Sequence, residues 1–224
     1  AIKESQTIML PGGSSGGGSG SSGSGSASQP TTPDEPQESQ ATFTDVPVNH
    51  TFYEDVEWAN ENGLMQGVTA KLFYPRNAIS QPTVVVVLAR MAKVDLSQYE
   101  NDGRYPTIPE SEWYSNAAVW AAQAGLLPNN SVFNSEGSIS RGDMAIMLVK
   151  YLASLGIDTT VPEPVTFADA DLMTQEVNDA FQVLYHYGIF FGIGNLYMDP
   201  LGVTTRGQFA ALIHRMDKVI EQYV

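Results

Sequence analysis

Apolar residues recur at helical spacing in three stretches of the chain, and each stretch follows the same kind of polar signal. After Ser140 the stripe is Met144, Met147, Leu148, Tyr151, Leu152 and Leu155. After Thr205 it is Phe209, Leu212, Ile213, Met216, Ile220 and Tyr223, and after Ser80 it is Val84, Val87, Leu88 and Met91. Steps of three and four place each set on one face of an α-helix. The hydroxyl residue that opens each stretch suits an N-cap, because its side chain can accept from an orphan N–H of the first turn. The openings read Ser140-Arg141-Gly142-Asp143, Thr205-Arg206-Gly207-Gln208 and an altered copy, Ser80-Gln81-Pro82-Thr83. In the first two, the residue three places on can reach back, as in a capping box.

A shorter helix precedes each of these. It carries Tyr53, Val56, Trp58 and Ala59 in the first case, Tyr114, Ala118, Trp120 and Ala121 in the second, and Phe181, Val183 and Leu184 in the third. Gly63-Leu64, Gly125-Leu126 and Gly188-Ile189 follow, and the glycine reads as a left-handed C′ stop. Then comes a loop with an aromatic anchor: Phe73-Tyr74-Pro75, Phe133-Asn134, and Tyr197-Met198-Asp199-Pro200. Two copies also begin with an aromatic, a spacer and an acid, Phe43-Thr44-Asp45-Val46-Pro47 and Phe167-Ala168-Asp169-Ala170. The middle copy, near Tyr105-Pro106, lacks that pattern. The chain thus repeats with a period of about 62 residues. The predicted fold is mainly α, with three helix-loop-helix repeats over 42–103, 104–164 and 165–224.

Residues 1–41 are of another kind. Gly12 to Ser26 are all glycine or serine, and Pro30 to Gln40 add prolines and acids. Such a stretch cannot bury a core and is expected to be a disordered linker with a reach of roughly 30 Å. Its irregular order suggests a natural tether more than an engineered one. Residues 1–11 read either as the last strand of an upstream domain or as residual propeptide, and the chain as a mature fragment or a piece of something longer. The net charge of −14 argues against nucleic acid or an anionic membrane as a general partner. With no cysteine, disulfides and thiolate metal sites are excluded, and no apolar run is long enough to span a membrane.

The ordered set Phe-x-Asp-Val-Pro, Val-x-Trp-Ala, Gly-Leu/Ile, an aromatic loop and a Thr-Arg-Gly-Gln helix start resembles the S-layer homology module, here in three tandem copies over about residues 42–224. The resemblance implies a pseudo-threefold helical bundle with the second helices packed centrally. It also implies an extracellular role: non-covalent anchoring of an exported protein to secondary cell-wall polysaccharide, often pyruvylated. Other surface-layer proteins stand as an alternative partner class, in a module that assembles a surface lattice.

The residues offer a reason to bind an anion. A helix N-terminus presents unsatisfied N–H groups and a partial positive charge. Arg141 and Arg206 sit in first turns, where a cation disfavours the helix, so a planar fork for a carboxylate is one reading. The other is that each arginine pairs with an acid, Asp45 or Asp169, and pins adjacent repeats together; both can hold. Gln81 stands in place of the arginine in the first repeat and lacks its charge. Trp58 and Trp120 are candidates either for groove walls or for core. Gly67 and Gly192 allow close approach of a ligand, and Asn129 is their counterpart in the middle repeat. His50, His186 and His214 lie far apart, Asp169-Ala170-Asp171 lacks the glycine of a calcium loop, and no catalytic motif appears. The expectation is a binding module, not an enzyme, with no cofactor.

Overall fold

Four consecutive valines, Val84 to Val87, would by local preference suit a strand. They lie instead in the middle of a helix, because Ser80 starts one and burial on nearly every side rewards it. The computed structural model describes residues 41–128 and 133–224, and the described residues form six α-helices. These are α1 (Tyr53–Glu61), α2 (Gln81–Met91), α3 (Ser115–Gln123), α4 (Arg141–Ser154), α5 (Gln175–His186) and α6 (Arg206–Tyr223), with short 3-10 turns at Leu96–Gln98 and Ala170–Leu172. Isolated bridges occur among the described residues, but no strands. The predicted linker falls almost wholly on residues 1–40, outside the described part, as does Asn129.

The predicted caps form. The N–H groups of Thr83, Asp143 and Gln208 donate to the hydroxyls of Ser80, Ser140 and Thr205. The reciprocal half of the capping box is present at Thr205, whose N–H donates to Gln208 Oε1 at 2.9 Å. Asp143 is a methylene shorter than glutamine, and only the forward bond forms at Ser140. Gly63, Gly125 and Gly188 all have positive φ, at 68°, 69° and 66°. After each, the next residue turns its N–H back to the helix, Leu64 to Ala59 O, Leu126 to Ala121 O and Ile189 to Leu184 O.

Helices pair across the boundaries of the predicted repeats. α3 packs on α2, α5 packs on α4, and α1 packs on α6, so the last helix closes on the first. One buried cluster contains residues of all three second helices, among them Leu88, Leu148, Leu212 and Ile213. The segments that lead into these helices also meet. Ile79 N–H donates to Thr204 O at 2.9 Å and Ile139 N–H to Ile79 O at 3.0 Å. Thr204 is fully buried there and its hydroxyl has no partner among the described residues.

Candidate functional site

The starts of α4 and α6 do not present free N–H groups. Arg141 and Gly142 donate theirs to Gly202 O and Pro200 O at 2.8 and 3.0 Å, while Arg206 and Gly207 donate theirs to Asn77 O and Pro75 O at 2.8 and 2.9 Å. The next residue in each case is already bonded to the cap hydroxyl. The expectation of an anion held directly by open helix ends is therefore corrected: a loop of the neighbouring repeat occupies them. This close docking explains the glycines of the motif. A Cβ on Gly142 would press on Val177 and Pro200 O at 3.1–3.2 Å, and one on Gly207 would run into the Phe52 ring.

The same loops are held from their other side by acids. Asp45 accepts from Phe73 N at 2.9 Å and Tyr74 N at 2.7 Å. Asp169 accepts from Met198 N at 3.1 Å and Asp199 N at 2.7 Å. Tyr74 and Asp199, the second residue of each pair, take positive φ of 57° and 56°, a conformation that costs a residue with a Cβ about 1 kcal/mol or more. Two charge-assisted bonds at each loop offset that cost. Asp45 and Asp169 thus organise the loops, and neither makes an ion pair with an arginine among the described residues.

Each arginine finishes the arrangement. Arg206 Nε donates to Phe73 O at 2.9 Å and one Nη donates to Gln66 O at 2.7 Å, with its guanidinium 4.6 Å from the Phe73 ring centroid. Arg141 Nε donates to Met198 O at 2.8 Å and its guanidinium lies 4.6 Å from the Phe190 centroid. Arg141 is only 4% exposed. Burial lowers the pKa of both guanidinium groups from the ordinary value; nearby Asp199 and Asp169 oppose this at Arg141, and Asp45 at Arg206. An arginine stays charged regardless, so one buried cation, Arg141, and one half-buried cation, Arg206, have no carboxylate within 4 Å among the described residues.

Both arginines line grooves, and the grooves are equivalent. The first, of about 280 Å³, has Arg206 on one side, Met65 to Gly67 on the loop side, and Thr83, Val87 and Arg90 from α2. The second, of about 230 Å³, has Arg141, then Phe190 to Gly192, and Gln208, Leu212 and Arg215 from α6. Arg90 and Arg215 escaped the reading of the sequence. Each binds the carbonyl after a helix-stop glycine, Arg90 to Leu64 O at 2.8 Å and Arg215 to Ile189 O at 3.2 Å. Their shared place, nine residues beyond Gln81 and Arg206 in the stripe numbering, was the available signal. A groove therefore joins an arginine from one repeat to an arginine from the next.

The other candidates have structural settings. Trp120 is buried, and Trp58 stacks on His214 at 4.4 Å between ring centroids; neither lines the two grooves. Gly67 and Gly192 do border them, but a Cβ at either would collide with backbone of its own loop, at Thr69 O and Tyr197 O. Gln81 is buried, accepts from Asn134 N at 2.7 Å and points its amide nitrogen at Met147 Sδ. In the middle repeat Lys150 replaces the second arginine, and it is paired with Glu176 at 3.2 Å and bonded to Leu127 O.

Residues 42–81 match the family model of the S-layer homology domain. The chain is 25% identical over 182 residues to the S-layer protein sap of Bacillus anthracis and 24% identical over 182 residues to an S-layer protein of Bacillus thuringiensis subsp. finitimus. Each alignment takes in 79% of this chain and 21% of the relative, so the chain spans about a fifth of the length of the relatives it matches.

Proposed function

We propose that the chain is a cell-surface anchoring module in which three S-layer homology repeats, arranged about a pseudo-threefold axis, hold secondary cell-wall polysaccharide in the grooves between repeats. The observation that carries this reading is the pair of equivalent grooves, each lined by an arginine that is at least half-buried and has no carboxylate partner among the described residues. A buried cation is costly until an anion meets it, and a carboxylate such as a pyruvate ketal fits a guanidinium through charge-assisted bonds. The overall charge of −14 repels such a polymer at long range, so recognition rests on short-range contacts in the grooves. On this reading the module binds and does not catalyse.

Sedimentation with purified wall sacculi tests it. The full chain should co-sediment with native sacculi and stay in solution when the secondary polymer has been removed. Equal binding to both preparations would refute it. A second reading, assembly with other surface-layer proteins, draws on the loop of the third repeat, where Phe191, Ile193, Leu201 and Val203 are exposed. Concentration-dependent assembly without any wall polymer would favour that alternative.

A further inference from the structure

One tryptophan remains outside the candidates read from the sequence. Trp113 is 66% exposed and borders the groove of Arg206 and Arg90. Its position follows from local structure: it precedes Tyr114, the N-cap of α3, and Tyr114 is buried. The indole rests edge-on against the Tyr114 ring, with centroids 5.4 Å apart and planes at 89°. It is therefore held along one edge while most of its surface meets solvent. A single exposed hydrophobic residue is ordinary; what sets this one apart is that it borders a groove that holds two arginines.

The equivalent residue in the other groove is Phe52, which is half-buried and lies against the Gly207 backbone. It lines that groove as a half-buried ring. That groove has a different exposed aromatic, Phe191, at 55%, on the loop side where the first groove has Gln66. Arg215 sits 5.4 Å from the Phe191 centroid, which orients the ring. Each groove thus has one exposed aromatic ring beside its arginine pair, but the ring comes from a different element, the segment before α3 in one and the loop after Gly188 in the other.

We infer that Trp113 and Phe191 are the stacking platforms for the pyranose ring of the bound saccharide, so that the two grooves hold one sugar chemistry in two different poses. A pyranose presents a face of C–H groups with partial positive charge, and an aromatic face is negative. With the carboxylate fixed at the arginines, the sugar ring has to lean toward Trp113 in one groove and toward Phe191 in the other. The inference rests on the anchoring reading above and adds the determinant of ring recognition to it.

The test uses the full chain with two probes, a methyl hexopyranoside bearing a pyruvate ketal and native sacculi. Tryptophan emission should shift on titration with the ketal glycoside, and Trp113→Phe should abolish the shift while keeping most of the affinity. Trp113→Ala should weaken one class of site about tenfold and Phe191→Ala the other. Both side chains are exposed, so the melting temperatures should hardly move. If the glycoside binds the parent while both alanine variants keep full affinity and the emission is unchanged, the platforms are wrong and the arginine grooves stand. If neither glycoside nor sacculi bind the parent chain, the anchoring reading falls and this inference falls with it.

Discussion

The predicted middle repeat and its two neighbours solve the same backbone problem with different chemistry. In the outer repeats an aspartate, Asp45 or Asp169, accepts two loop N–H groups, and an arginine from the preceding repeat donates to a carbonyl of the same loop. The middle repeat keeps the entry turn, with Ile108 N–H donating to Tyr105 O just as Val46 donates to Phe43 O and Ala170 to Phe167 O. It has Thr107 where the others have the acid. The missing acceptor is supplied from the partner position: Gln81 replaces the arginine, and its Oε1 takes the Asn134 N–H. Acid and arginine therefore form one coupled device across a repeat boundary. When one member changes, the other changes with it, and the guanidinium is lost from that position.

The largest expected effect concerns whether the middle repeat is separable at all. Leu148 lies in the same buried cluster as Leu88 and Leu212, so Leu148→Ala should cost roughly 2–5 kcal/mol in one cooperative thermal transition. Three transitions, with only one displaced, would show that the repeats melt independently and would dissolve the comparison. Next comes the coupled device. Gln81→Arg alone removes an acceptor and buries a charge, and should cost about 1–3 kcal/mol. Thr107→Asp alone should do little at an exposed position, while the double variant should recover about 1 kcal/mol or more in a denaturant-unfolding cycle. Simple additivity would break the proposed link.

Binding is the third measure. Arg141→Ala and Arg206→Ala should each weaken polymer binding about ten- to a hundredfold, from loss of a charge-assisted bond. Lysine should restore only part, since it lacks the planar fork. Gln81→Ala should leave binding nearly intact and lower the melting temperature instead. Variants that stay folded with parental affinity would make the arginines purely structural. The smallest effect sharpens the junction of the three leading segments, where Ile79, Ile139 and Thr204 occupy equivalent places. Thr204→Val removes a buried hydroxyl that has no partner among the described residues and should raise stability by about 1 kcal/mol. A lower melting temperature would show that the hydroxyl is satisfied in solution.

Local chemistry was enough to read the helices. Caps at Ser80, Ser140 and Thr205, stops at Gly63, Gly125 and Gly188, and stripes at three and four depend on interactions within one turn of chain, and they appear where the spacing put them. Even the valine run of α2 yielded to its cap and its burial. The partners of those elements were a different matter. That α1 closes on α6, that a loop fills the starts of α4 and α6, and that Arg141 shares a groove with Arg215 while Arg206 shares one with Arg90 all depend on residues distant in the chain. A lone arginine at a helix start reads the same whether its fork faces a carboxylate or a carbonyl. Trp58 and Trp120 likewise lie within the first helices of their segments, yet one stacks on a histidine and the other is buried. Helix formation is set by neighbours in sequence, whereas burial and partner choice are set by packing, so the sequence by itself determined the elements and only the tertiary structure decided which side chains make the grooves.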